Sequence, residues 1–437
     1  MDADAIVVGA GAAGLAAARA LASRSARVVL LEARDRVGGR VWSRPGPREV
    51  TPAELGAEFI HGPAPRTMAL LGEAGTAAID TGGESWSREG AELARDEEDF
   101  LAAGGVFDGS LELARDESVD RFLQRSGHGA AARERARAAR DFVEGFDAAD
   151  PVLASAQAIA REWRSGVDWT SARPLGGYAP LVKRLYDDCA ASNVDLRLAT
   201  VATRIAWRRH AVAVDAVGAA GEHQTLRART AIVTLPLGVL RHTGDEGKVH
   251  FEPELPDEKR EAIGYLEMGH VVKVVLSFRT AFWERIAGAR YRNGGFFYVG
   301  NQPIVTYWTQ VPVRSELIVA WAGGPRAVML RDRGEAERIE IALNGLAALF
   351  DDDAHVRDEF DGALTHDWSR DPFSRGAYSY VAVGGGGARD ELARPVDGTL
   401  FFAGEATSAD GDGGTVNGAL ETGERAAAQA AAALGLP

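Results

Sequence analysis

The sequence predicts an α/β fold in which one parallel-sheet domain is assembled from separate stretches of chain, with an α+β domain inserted in it. Three observations lead there. The chain opens DADAIVVGAGAAGLAAARAL, a strand, a glycine turn and a helix. It closes LFFAGEATSADGDGGTVNGALETGERAAA, which supplies an acidic residue and a helix start suited to completing the same domain. About 400 residues of changing character lie between, so the two ends must meet in space around an insertion.

The elements follow in order. Ala5 to Val8 is a short buried strand. Ala12 to Ser23 is helical, with Leu15, Ala18 and Leu21 on one side. Val28 to Glu32 is a second buried strand, so the chain begins a βαβ unit. Thr51 to Ile60 is extended, and Met68 to Gly75 is a helix. From Gly83 to Asp188 the pattern is mostly helical and charged. The Arg/Ala/Glu tract at 130 to 141 reads as one solvated helix face. Asp195 to Pro236 alternates apolar and polar residues, as a small antiparallel sheet that feeds back into the first domain does. Residues 264 to 383 mix strands and helices and are rich in aromatics, which serve as core and as pocket wall. Thr399 to Leu434 is a strand, a loop and a terminal helix.

At 437 residues the chain holds two or three domains. A net charge of −14 repels phosphate backbones and argues against nucleic-acid binding. Cys189 is the single cysteine, so an intrachain disulfide is excluded and a reducing compartment fits. Apolar patterning begins at Ala5, with no leader read before it, and no run of 18 apolar residues occurs. The reading is a soluble, cytoplasmic protein, a monomer or homodimer, without membrane contact. Its His, Asp and Cys residues show no metal-ligand spacing.

GAGAAG places Gly9, Gly11 and Gly14 between the first strand and helix. Gly9 permits the tight turn, Gly11 the approach of a diphosphate, and Gly14 close helix–strand packing. The helix start turns free N–H groups and a positive dipole end toward that diphosphate. Glu32 ends the next strand, where a carboxylate accepts from ribose hydroxyls. The following EARDRVGGRVWS adds Gly38 and Gly39 for a second close approach and Arg40 as a fork of donors. Arg34 is counted with this dinucleotide site, although Arg34 and Arg36 also read as surface charge.

LEARDRVGGRVWS, ELGAEFIHG, RPLGGYAPLVKRL, AIVTLPLGVLR, VKVVLSFRTAFW, DWSRDPFSRGAYSYVAVG and the closing LFFAGEATSADGDGGTVNGALETGERAA together resemble the flavin-containing amine oxidases. That family includes monoamine oxidases, polyamine oxidases and flavin histone demethylases. The resemblance runs from residue 4 to about 432, in the family's order, and is nearest the polyamine oxidase branch. It implies a discontinuous Rossmann-like FAD-binding domain, residues 1–75, 191–250 and 384–437. It implies a substrate domain from 76–190, mostly helical, and 251–383.

The resemblance also assigns residues. Glu405 is similar to the acid that meets the flavin ribityl chain, and Val201 to the residue whose backbone meets adenine. Thr415 and Val416 start the last helix beside the flavin pyrimidine, where a helix N-terminus stabilises charge on reduced flavin. Gly56, Ala57, Trp368 and Gly404 are counted with the cofactor contacts. Ala377 stands where monoamine oxidases carry a flavin-linking cysteine, which implies non-covalent FAD. Lys273, in a strand of valines, resembles the lysine that holds a water at flavin N5 and assists oxygen reduction. Tyr378 resembles one wall of the amine-guiding cage; Thr415 replaces the second tyrosine and opens the other wall. Trp368 and Phe373 match aromatic positions near the flavin. His61 and Glu58 fall at substrate-contact positions. GAEFIHG lacks the arginine with which related amino-acid oxidases grip a carboxylate.

The implied activity is FAD-dependent oxidation of a polyamine or a bulky primary or secondary amine. Hydride passes from the α-carbon to flavin N5, the imine hydrolyses to a carbonyl, and O2 is reduced to H2O2. Two alternatives stand beside it. One is a related flavoenzyme acting on an amino acid or a cyclic amine. The other is a demethylase-type component of a protein complex, though the interval from Lys273 to Glu405 leaves no room for that group's coiled-coil insertion.

Overall fold

The computed structural model describes residues 1–46, 51–90, 92–96, 106–107, 109–126, 129–165, 171–244, 247–409 and 411–437. Five parallel strands form the first sheet, in the order Val194–Arg197, Val28–Leu31, Ala5–Val8, Thr230–Val233 and Leu400–Phe402. Four of these are short apolar runs, AIVV, VVLL, TAIV and LFF, buried throughout. Runs without alternation suit strands covered on both faces. The final strand pairs with Thr230–Val233, which pairs with the first, so the chain ends do meet in one sheet.

Helices Ala12–Ala22 and Val416–Leu434 pack together against one face. Their alanine-rich contact is close: a Cβ added at Gly423 lies 2.3 Å from the Ala13 carbonyl oxygen. The other face is covered by a four-stranded sheet of His223–Ala228, Ala211–Val217, Val201–Arg208 and His250–Glu252. The region expected to form an antiparallel sheet is therefore divided. Its two ends, Val194–Arg197 and Thr230–Val233, join the parallel sheet instead. AVAVDAV alternates between buried and half-buried residues, as a one-sided antiparallel strand does, whereas TAIV does not alternate.

The second large sheet has seven strands in the order Phe360–Thr365, Val271–Phe278, Leu317–Gly323, Thr306–Trp308, Gly294–Val299, Glu84–Glu89 and Glu92–Arg95. Val272, Val274, Leu276 and Phe278 enter the aromatic core backed by helix Glu335–Phe350. Period two then puts Lys273 and Val275 on the opposite face. Val275 there packs with Leu55, Trp308 and Val319.

The stretch read as mostly helical contains helices Val119–Ser126, Ala130–Gly145, Ala156–Arg164 and Ala179–Ala190. It also contains strands Glu84–Glu89, Glu92–Arg95 and Ser171–Pro174. The first two flank Gly90 at φ +75°, and Trp86 is buried in the aromatic core. Their charged residues imitate a helix surface. Residues 91, 97–105, 108, 127–128 and 166–170 of this stretch lie outside the described residues. Two expected domain limits also shift. Helix Ala179–Ala190 buries Leu181, Leu185 and Cys189 beside Leu15, in the first core. Helix Asp257–Gly264 buries Ala262 and Ile263 under the four-stranded sheet. Polarity along the sequence does not say which core a helix covers. Among the described residues no helix is long and apolar enough to cross a membrane.

Candidate active site

The turn after the first strand is built as its glycines require. Gly9 has φ +104°, and a Cβ at Gly14 lies 1.8 Å from the Gly9 carbonyl oxygen. Gly11 caps helix Ala12–Ala22 without a side-chain hydrogen bond, and the first turn holds no acid. The leading N–H groups are thus left without a capping side chain, at the positive end of the helix dipole. Gly38 bridges to Gly11, and a Cβ at Gly39 lies 3.2 Å from the Gly11 Cα. Glu32 is buried at the end of its strand. Its carboxylate accepts from Ala10 N at 2.8 Å and Arg34 N at 2.9 Å, which fixes it beside the turn.

Arg34 is engaged by protein groups. Its Nη2 lies 2.7 Å from Asp371 Oδ1 and 3.0 Å from Ser374 Oγ, with the guanidinium 5.5 Å from the Phe373 ring centroid. Burial favours the neutral form of Asp371. The His366 hydrogen bond and Arg34 outweigh it and hold this carboxyl down to about 2. Arg36 lies outside the expected set; it rests on Trp42 and donates to the Gly39 carbonyl at 2.9 Å, pinning the glycine loop.

Farther along, Arg40 Nη1 donates to the Ala377 carbonyl at 2.7 Å and to Glu405 Oε1 at 2.9 Å. Glu405 Oε2 accepts from Ser379 Oγ at 2.6 Å, and Arg389 donates to the same Ser379 Oγ at 2.8 Å. Burial pushes the Glu405 carboxyl up, but Arg40 and Arg389 together hold it below the usual range. Gly56 sits where a Cβ meets the Arg40 carbonyl oxygen at 1.8 Å. Trp368 Nε1 donates to the Leu55 carbonyl at 2.8 Å. Thr415 caps helix Val416–Leu434: its hydroxyl accepts from Gly418 N at 3.0 Å and donates to the Asp412 carbonyl at 2.8 Å. Both functions of that hydroxyl are therefore spent on the cap.

Lys273 is 2% exposed, in a strand whose eight residues are all buried. Its Nζ lies 2.6 Å from Glu58 Oε2 and donates to the Gly56 carbonyl at 3.2 Å. Glu58 Oε1 accepts from Arg173 Nε at 3.1 Å, Trp308 Nε1 at 2.9 Å and Gln310 Nε2 at 3.1 Å. Burial would raise the Glu58 carboxyl; Lys273 and Arg173 overcome it and bring it to about 2. Glu58, expected as a substrate contact, is thus committed to these partners. His61 Nδ1 lies 3.1 Å from Ser171 Oγ, with its ring edge-on to Phe146. Burial pulls its imidazole down to about 4, so it is neutral at pH 7. Tyr378 donates its hydroxyl to the Phe146 carbonyl and lays its ring beside Gly414. Burial raises its phenol, which stays protonated.

Every candidate residue named from the sequence except Gly14 borders one cavity of about 2330 Å³. Gly14 lies behind the turn, as its packing role requires. Sequence reasoning missed Arg173, Ser379, Arg389 and Asp371. Arg173 opens the RPLGGYAPLVKRL segment, so a signal was present. Asp371 and Ser379 lie in DWSRDPFSRGAYSYVAVG, so the same signal was present for them; Arg389 lies outside the quoted segments, and only tertiary pairing reveals it. The residues fit a flavin dinucleotide: one end offers the uncapped helix start and the glycine approaches, the other a second helix start beside Glu405. FAD is not tethered through Cys189, which is buried and directs its thiol to the Leu15 carbonyl away from the cavity.

Fold and cavity together define a dinucleotide-binding flavoprotein whose one cavity is also lined by Phe146, Phe296, Trp308 and Tyr378. The chain belongs to the flavin containing amine oxidoreductases, whose family model matches residues 12–431, and FAD is the cofactor of this fold. Lysine-specific histone demethylase 2 of Homo sapiens is 28% identical over 98% of this chain and 53% of its own length. Polyamine oxidase 4 of Oryza sativa subsp. japonica is 28% identical over 97% of this chain and 87% of its own length. The chain therefore spans about half of the demethylase and most of the plant oxidase. The fold matches a putrescine oxidase bound to putrescine with a TM-score of 0.78 at 22% identity, over 99% of both chains.

Proposed function

We propose that this protein oxidises an amine at the carbon next to nitrogen, with non-covalent FAD and with O2 as acceptor. The observation that carries the reading is the placement of Lys273 on the wall of the same cavity that the glycine turn and Glu405 border. In this reading the cofactor domain comprises residues 1–75, 179–268 and 384–437, and most of the remainder forms the substrate domain.

FAD, when bound, supplies the hydride acceptor. Gly9, Gly11, Gly38 and Gly39 would leave room for its diphosphate, and Glu32 and Val201 would hold its adenosine end. The Val416–Leu434 helix start stabilises negative charge at the far end. Arg40 acts indirectly, by holding Glu405 and the Ala377 carbonyl in place. The amine enters between Tyr378, Phe146, Phe296 and Trp308, whose rings exclude water and orient the C–H bond. Neutral His61 offers a polar contact without repelling a cation. Lys273 holds a water or a proton at the oxygen-reacting face.

The net change is R–CH2–NH–R′ + O2 + H2O → R–CHO + R′–NH2 + H2O2. Threonine at position 415 leaves the wall facing Tyr378 without a second ring, which supports a polyamine or a bulky primary or secondary amine. A panel of diamines, polyamines, arylalkylamines and α-amino acids, read by peroxide formation, tests this. Turnover of a long or bulky amine supports it; turnover of amino acids alone contradicts it.

A further inference from the structure

The ionic environment of Lys273 has a construction that amine binding does not explain. Its ammonium has three donors. It lies 2.6 Å from Glu58 Oε2 as an ion pair and donates to the Gly56 carbonyl at 3.2 Å, on the wall of the cavity. Glu58 is in turn gripped through its other oxygen by Arg173, Trp308 and Gln310. Arg173 is buried and donates to the Thr309 carbonyl at 3.1 Å and the Val311 carbonyl at 3.3 Å; its guanidinium lies 4.4 Å from the Phe59 ring centroid. Every link sits on a paired strand or beside one: Lys273 on Val271–Phe278, Arg173 on Ser171–Pro174, Trp308 on Thr306–Trp308.

We propose that Glu58 and Arg173 are positioning residues for Lys273: a buried Arg173–Glu58–Lys273 chain of charges fixes the lysine nitrogen in one place on the cavity wall. The proposal rests on the reading of Lys273 given above and adds what holds it there.

The physical reason is entropy and sign. A lysine side chain has a flexible four-carbon stem and strongly hydrated charge, and in an apolar chamber it otherwise wanders or neutralises. A single carboxylate beside it cancels its charge. Adding Arg173 restores a net charge of +1 to the three-group chain while keeping Lys273 anchored. Glu54 is the remaining carboxylate of this neighbourhood; its Oε1 is used by Ser43 and by Tyr178 N.

A double-mutant cycle tests the proposal without any amine. FAD-loaded parent, Glu58→Gln, Lys273→Met and the double variant are reduced with dithionite, and reoxidation by O2 is followed at the flavin band. Glu58→Gln slows reoxidation about tenfold or more in the parent and less than about twofold in the Lys273→Met background, because its effect passes through the lysine. Arg173→Gln gives a smaller slowing, likewise absent without Lys273, and serves where Glu58→Gln does not fold. Reductive methylation of the FAD-loaded proteins, read by mass spectrometry at Lys273, labels the lysine several-fold faster once Glu58 is glutamine. Equal slowing in both backgrounds, no slowing, unchanged labelling, or a Lys273→Met protein as fast as the parent overturns the proposal. Failure of every amine to reduce the flavin is a separate result and strikes only the amine-oxidising function.

Discussion

Arg40 Nη1 lies 2.9 Å from Glu405 Oε1, and this ion pair joins residues 365 positions apart at the floor of the cavity. Its partners explain why both ends of the chain are needed. Removing Arg40 leaves Glu405 with Arg389 and Ser379 alone, so the cost is on the order of 2–3 kcal/mol, below that of an isolated buried pair. Arg40→Ala is therefore expected to lower Tm by roughly 5 °C or more and to purify with little FAD. Calorimetry and the ratio of flavin to protein absorbance check this. Glu405→Gln, which keeps the Ser379 contact, has a smaller effect.

Gly14 and Gly72 form a contrasting pair. A methyl group at Gly14 lies 1.8 Å from the Gly9 carbonyl oxygen, whereas one at Gly72, in helix Pro65–Glu73, meets nothing within 4 Å. Gly14→Ala is expected to prevent accumulation of FAD-loaded protein. Gly72→Ala is expected to stabilise by about 0.5–1 kcal/mol through helix propensity. Soluble yield and urea midpoints compare them.

Lys273→Met is expected to keep FAD and its spectrum while slowing turnover or flavin reoxidation by about 10²-fold, the lower end of what a placed proton donor contributes. Stopped-flow absorbance separates the two half-reactions. Slowing in neither half-reaction removes Lys273 from the mechanism.

His61 gives a pH signature. Its folded value of about 4 lies below the ordinary value of 6.5. Between those values the unfolded chain binds a proton that the folded chain refuses, so stability falls as pH drops from 6.5 toward 4 and is flat above. The ring borders the cavity, which limits the loss to on the order of 1–2 kcal/mol. Urea unfolding of the parent and His61→Phe at pH 7 and pH 4.5 reads it: the variant loses less stability on acidification. Equal losses contradict the buried neutral imidazole.

Acid precipitation checks the cofactor linkage. Ala377 and the remote Cys189 offer no thiol to the flavin, so the yellow colour is expected in the supernatant. Colour on the pellet contradicts non-covalent binding.

The parallel sheet and its glycine turn were legible because local chemistry dictates them. AIVV and VVLL can only be buried on both sides, and Gly9 and Gly14 stand where no side chain fits. Lys273 by its pattern alone reads as a solvent-facing lysine of an alternating strand, and only the family resemblance pointed to it; the structure buries it. The hairpin around Gly90 was not legible, because its strands carry Glu, Ser and Arg at positions outside the aromatic core and a charged helix has the same composition. Nor was the spending of Glu58 on Lys273 and Arg173. It depends on Lys273 in the seven-stranded sheet meeting Arg173 on strand Ser171–Pro174 of a different sheet and Glu58 in the stretch before Ile60, and spacing along the chain carries no trace of that.

The most direct measurement is anaerobic mixing of the FAD-loaded protein with long and bulky amines while the flavin absorbance is recorded. Loss of the oxidised band with at least one such amine, and its return on admitting oxygen, is what the site chemistry requires. A flavin that stays oxidised with every amine, yet is bleached by dithionite, contradicts it.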